Sequence, residues 1–418
     1  MRLITEKFGA LTVPDLIDLR FNSVFLRVII ALTIYVGCVG YLMTNFIAFG
    51  TIGEQILGLP YAISLIIGVL VLSLYVVLGG QLASIWTTSF QMVIMMLGSL
   101  VVFLIGLKLT GGFTNCFATI GNANPNMIKA WHPHGSYSFS MWLSFVILYS
   151  IGFLGQPHLI TKFYTIKKIG LFKWAALIGA VSMSITCLIY SIGTTSRYLT
   201  LTGAMPEIAK QDSVVPIFFT TFCPPILGGI IIAAALAAVM STADAFLVVA
   251  SSALVRDIYQ QVILGKLKNS ASKLSPEKEL MYARIATTFT VLIVCLLCIR
   301  PVDVITWIGA ASWGIFAAVI GPVVFLGLRS KLVTKSGAIA GALVGFVISF
   351  GCYIGKTFGV IPKFFVLDYS VWAMIISTVV IVVLSFVTKK ERNEIIAYVE
   401  NNNLENIDNV SLGAKSII

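Results

Sequence analysis

Ten apolar runs, at about 24–50, 60–78, 86–107, 139–160, 171–195, 224–252, 282–299, 304–327, 337–354 and 370–388, alternate with short polar stretches along the chain. Most are ~17–25 residues long, the length a helix needs to cross a hydrocarbon core. In lipid, backbone N–H and C=O groups must be paired within the segment, so each run is predicted to be a transmembrane α-helix. An even number of crossings puts both ends of the chain on one side.

Composition agrees. The chain is 58% hydrophobic and 11% charged, and a soluble domain with a water-facing surface does not carry so little charge. The seven cysteines are odd in number and mostly intramembrane, which argues for small apolar packing residues rather than a disulfide framework. The first twenty or so residues lack the uninterrupted apolar stretch of a secretory signal.

A net charge of +11 raises the question of nucleic acid, but the basic residues sit in loops between apolar runs rather than on one solvated face. When alternate loops are assigned to alternate sides, 21 of the 28 Lys and Arg fall on the side holding both termini. Positive charge concentrates in the cytoplasm, so a multi-pass plasma-membrane protein with cytoplasmic ends is expected. The predicted division is a cytoplasmic loop at 1–23, a transmembrane domain at 24–388 and a cytoplasmic tail at 389–418. The stretch 108–138, rich in Gly, Asn and Pro, is expected to be irregular.

A polar group inside a span is expensive and therefore a candidate for function. Asp244 is the one acidic residue well inside an apolar run, next to Ser241 and Thr242 on a helix rich in alanine. Two adjacent hydroxyls offer hard oxygen ligands to an alkali cation, or they simply bond back to the preceding turn. Asp244 is an ion or solute contact, a proton relay, or a polar partner for a neighbouring helix. Arg256 and Asp257, at the end of the same span, read as a solvated ion pair.

The fourth run is interrupted by Gly152, Gly155 and Pro157, which free backbone groups at membrane depth. Such a break is either a solute site or a kink at a helix end. Tyr149 and Phe153, four apart and on one face, precede it; Trp313 and Phe316 lie near Gly321 and Pro322 in the eighth run. No phosphate-binding glycine loop, nucleophile elbow or carboxylate pair is present, so no catalytic equipment is visible and no enzyme activity or cofactor is expected.

Five ordered blocks resemble the sodium/solute symporter family, and within it the proline-carrying members: ALTVPDLIDLRF at 10–21, GGQLASIWTTSFQ at 79–91, GQPHLITKF at 155–163, LAAVMST and ASSALVRDIY within 236–259, and SWGIFAAVIGPVV at 312–324. The resemblance implies an all-α polytopic inverted-repeat (LeuT-like) symporter fold. It further implies a partial first repeat at 24–107, a second repeat at 139–327 and peripheral helices at 337–388, with the family's first three helices preceding this chain's first block.

It also implies sodium as coupling ion, held by the Ser241 and Thr242 hydroxyls and the Ala238 carbonyl, and a small organic solute held by Tyr149, Phe153, Gln156, Pro157 and Trp313. Four positions depart from the proline-carrying pattern. Tyr149 and Phe153 replace Trp and Tyr, and Thr88 replaces an aspartate while Asp244 replaces a hydroxyl. An amino acid such as proline and a small carboxylate both fit. A proton-coupled carrier using Asp244 and a non-transporting scaffold or sensor fragment are the competing readings.

Overall fold

In a computed structural model the described residues are 7–129, 138–165, 170, 172–208, 211–265, 274–300, 305–357, 359–360 and 367–388. The tail at 389–418 lies outside them. All the regular elements described are helical. Among the described residues eight helical stretches are long and apolar enough to cross a bilayer, and two shorter apolar stretches, Tyr61–Leu74, which is part of a longer helix, and Phe139–Ser150, fall on the second and fourth expected spans.

Within the expected 1–23 loop lies a helix, α1, Val13–Phe21. Its start is encoded locally: the Thr12 hydroxyl accepts from the Asp15 amide, Pro14 sits in the first turn, and Asp15 places a negative charge at the positive end of the helix. Asn22, at φ 45°, ends it, and Ser23 caps the next helix, α2, Val24–Leu57.

Helix α3 runs unbroken over Tyr61–Thr110, so the loop expected at 79–85 is helical. That segment contains no proline, and a glycine inside a helix costs only ~1 kcal/mol. The stretch expected to be irregular holds α4, Phe113–Ala123, and a 3-10 turn, Pro125–Ile128. Cys116 and Ile120, one turn apart, are the buried face of α4.

The fourth span breaks where expected. Helix α5, Phe139–Ser150, gives way to a 3-10 turn, Gly152–Gly155, and resumes as α6, Pro157–Thr165. Helices α7, Phe172–Cys187, α8, Ser191–Leu201, and α9, Val214–Phe222, follow. Helix α10, Pro225–Ser252, continues as a π-helix over Ala253–Leu264, and α11 spans Pro276–Cys298.

Helix α12, Ile305–Arg329, is the axis of the molecule: 78% of its apolar window is enclosed by protein, against 6% for Lys173–Leu201. It packs on α2, on the 3-10 turn of the broken span, and on α13, Lys335–Thr357, and α14, Tyr369–Val387. The buried core joins α2, α3, α10 and α12 through residues such as Phe46, Leu72, Phe246 and Phe316.

Candidate ion and solute site

The expected ion corner is a compact oxygen cluster on α10. The Ser241 and Thr242 hydroxyls each lie 3.0 Å from the Ala238 carbonyl oxygen, to which both donate. Back-bonding of this kind is common for hydroxyls in membrane helices, and it also holds three oxygens within one helical turn. Asp244 is 1% exposed, and its charge attracts the Lys162 ammonium on α6.

Thr242 and Phe246 are four residues apart on α10 and so share a face, one turn between them. Phe246 stacks on Tyr41 of α2 at 4.4 Å between centroids, meets His158 of α6 at 4.3 Å with the rings tilted, and lies parallel to Phe316 of α12 at 6.2 Å. Trp313 joins the same group, 5.3 Å from Tyr149, 6.3 Å from His158 and 6.4 Å from Tyr41. Ring pairs at these spacings contribute ~0.5–1.5 kcal/mol each beyond the area they bury. The rings tie α2, the broken span, α10 and α12 together.

The break is locked to α12 by backbone contact. A Cβ on Gly155 would collide with the Phe316 carbonyl and come within 2.9 Å of the Gly321 nitrogen. Only glycine lets the two backbones approach so closely. The Trp313 indole donates to the Leu148 carbonyl at 3.1 Å, and Gln156 Nε2 donates to the carbonyls of Gly152 and Trp313 at 3.2 and 3.3 Å. Two carbonyls that the α5 break leaves short of donors are thereby satisfied.

At one end of the bundle the side chains form a charge network. Arg27 donates to Asp15 at 2.8 Å and to Asp18 at 2.9 Å, and lies 3.8 Å from Asp257. Arg256 lies 3.3 Å from Asp15 and 3.9 Å from Glu279, and the Thr12 hydroxyl donates to Asp257 at 2.6 Å. The expectation of a solvated Arg256–Asp257 pair is corrected: Asp257 is 1% exposed, and each residue finds its partners on other helices. The π-helix carries Asp257 inward against α1 and α2, which the sequence position at a span end does not reveal. A cavity of about 380 Å³ borders this network, lined among others by Thr12, Pro157, Thr161, Ser252, Asp257 and Glu279.

Of the expected solute residues, Tyr149, Gln156 and Trp313 come together around the break. Pro157 is buried and lines the cavity on the network side. Phe153 stands apart: among the described residues it pairs with no ring, whereas Tyr149, equally exposed at 43%, meets Phe145 and Trp313. A 3-10 turn has three residues per turn rather than 3.6, so the i,i+4 alignment with Tyr149 is lost. Sequence reasoning missed Tyr41, His158 and Phe246. His158 follows the break directly, and Phe246 lies one turn beyond Thr242, so both carried a positional signal; Tyr41 carried none.

The sequence profile of the Sodium:solute symporter family matches residues 1–345. A sodium/pantothenate symporter of Haemophilus influenzae is 26% identical over 354 residues, covering 84% of this chain and 70% of that protein. A sodium/proline symporter of Staphylococcus aureus is 29% identical over 401 residues, covering 93% of this chain and 75% of its own length. These relatives are transporters, not enzymes. In three dimensions the chain shares its inverted-repeat (LeuT-like) fold with a Na⁺-coupled sialic acid symporter solved in a substrate-bound outward-open state. The TM-score is 0.73 at 19% identity, over 94% of this chain and 80% of that one.

Proposed function

The chain belongs to the sodium:solute symporter family, and from that premise we propose that it imports a small organic solute, an amino acid or a small carboxylate, driven by the sodium gradient. One observation carries the reading. The oxygen cluster of Ala238, Ser241 and Thr242 lies one helical turn from Phe246, the ring that links the walls around the broken span. Sodium bound by those oxygens would fix the α10 face on which Phe246 rests, and Tyr149, Gln156 and Trp313 would meet the solute at the break. Alternating access then moves one bundle against the other around this fixed site.

The charge network and its cavity suit the inner end of the path, where ion and solute leave. The bias of Lys and Arg supports placing that end, and both ends of this chain, in the cytoplasm beneath the plasma membrane. Membrane potential would add ~2.3 kcal/mol per charge per 100 mV to the chemical gradient.

Uptake into proteoliposomes tests the ion corner. Thr242→Ala should raise the sodium concentration for half-maximal uptake at least ~10-fold, about 1.4 kcal/mol, with expression unchanged. An unchanged sodium dependence counts decisively against the corner. The burial of Asp244 and its attraction to Lys162 favour a second reading, coupling to protons through that carboxylate. Uptake driven by a proton gradient without sodium would establish it in place of the first.

A further inference from the structure

Between Asp303 and Asp368 the sequence carries no acidic residue, and within that stretch the loop joining α12 to α13 sets Arg329, Lys331 and Lys335 within seven positions. The loop lies at the end of the bundle that holds the charge network: Lys335 Nζ donates to the Asn22 carbonyl at 2.8 Å, and Arg20 of α1 reaches in beneath it. Arg20 is 3% exposed. Its Nε donates to Gly327 O at 2.7 Å, and its Nη2 to the carbonyls of Val333 at 3.0 Å and Ser330 at 3.4 Å. The guanidinium thus covers the negative end of α12, while α13 turns its positive end toward the same loop.

Beside these cations apolar side chains stay uncovered. Phe325, one turn before Arg329, is 44% exposed on a helix largely enclosed by protein, and the Arg329 guanidinium lies 5.9 Å from its ring centroid. Leu332, next to Lys331, is 43% exposed. The Thr334 and Thr388 hydroxyls, 2.6 Å apart, bring the end of α14 to the loop, where Phe386 and Val387 are exposed.

Cations set among uncovered apolar groups match an amphipath rather than a soluble ion. We propose that this loop binds an anionic phospholipid of the leaflet it faces, with the headgroup phosphate at Arg329 and Lys331 and the acyl chains along Phe325 and Leu332. A guanidinium suits a phosphate because its planar fork makes two parallel bonds. A headgroup on the loop also steadies the carbonyls that hold Arg20, and with them α1, which carries Asp15 and Asp18 of the charge network. The site stands apart from ion and solute, so it does not depend on the symport reading.

Thermal unfolding of the full chain in neutral-detergent micelles tests the site, with three additions: dioleoylphosphatidylglycerol, dioleoylphosphatidylcholine, and glycerol 3-phosphate, which has a phosphate and no acyl chain. Phosphatidylglycerol should raise Tm to a plateau, at a lower mole fraction than phosphatidylcholine needs for any equal rise. Each basic residue near an anionic lipid surface strengthens attraction about five-fold. Arg329→Gln combined with Lys331→Gln should therefore raise the half-saturating fraction on the order of 25-fold, whereas Lys173→Gln, at an exposed cation on α7, should leave it within about two-fold. Leu332→Gln should weaken the response to phosphatidylglycerol several-fold and leave that to glycerol 3-phosphate unchanged. Equal stabilisation by phosphatidylcholine overturns the assignment in favour of acyl contact alone, and an equal response to glycerol 3-phosphate in favour of a soluble-anion site. A double variant no weaker than Lys173→Gln overturns it in favour of diffuse surface charge. Should the double variant fail to fold, Leu332→Gln and the three-way comparison on the natural chain decide the matter.

Discussion

Replacing Arg27 by methionine removes the cation at the centre of the buried network while keeping most of the side chain's volume. Arg27 is 8% exposed in its side chain, and it faces Asp15 at 10%, Asp18 at 28% and Asp257 at 2%. The Asp15 and Asp257 contacts are therefore desolvated, and losing one partner of a buried pair costs ~3–5 kcal/mol because the other charge remains uncompensated. Asp18 is more exposed, so its contact is screened and adds at most ~1 kcal/mol. Arg256, 3.3 Å from Asp15, and the Thr12 hydroxyl, 2.6 Å from Asp257, absorb part of the loss. The expected net destabilisation is ~3–4 kcal/mol, at the lower part of the range for a broken buried pair. Reversible unfolding in mixed micelles, followed by tryptophan fluorescence, measures it. Adding Asp15→Leu to Arg27→Met should recover part of the stability, since one of the two stranded carboxylates is then gone while Asp257 remains. A loss below ~1 kcal/mol, or a double variant no better than the single one, refutes the claim that the network is buried and mutually compensated.

Other perturbations test the break and its walls. Gly155→Ala sets a methyl against the Phe316 backbone, which cannot rotate aside; transport should be abolished, with ~1–3 kcal/mol lost, as read by uptake and thermal unfolding. Trp313→Phe removes the indole bond to Leu148 O and should cost ~0.5–1.5 kcal/mol while raising the solute KM more than it lowers sodium affinity. Phe153→Ala, at an exposed position apart from the ring cluster, should leave KM within about two-fold, whereas Phe246→Ala should raise both KM and the sodium requirement.

Much of this architecture was legible in the sequence because lipid imposes a simple code of long apolar runs. The break at Gly152–Pro157 was legible for a related reason: proline and glycine at membrane depth have few uses. The oxygen cluster at Ala238, Ser241 and Thr242 was legible because all its members lie within five residues on one helix. What was not legible was built from distant segments. The Thr12–Asp257 bond joins residues 245 positions apart, and Arg256 reaches Asp15 across 241. Tyr41 enters the ring cluster only because α2 and α12 pack side by side. The helical course of 79–85 defeated the loop prediction because glycine weakens a helix without breaking it.

The single turn of α10 between Thr242 and Phe246 also bears on leakage. A hydrogen-bonded α-helix is a spacer of nearly constant length, ~6 Å over four residues, so an oxygen at one end and a ring at the other cannot be displaced independently. Slippage, in which the ion crosses without its passenger, requires them to move apart. Under the proposed reading, fidelity of coupling would stem from stiffness between the two seats rather than from the tightness of either, and softening that turn with Ala243→Gly would raise idle sodium flux before it weakened binding.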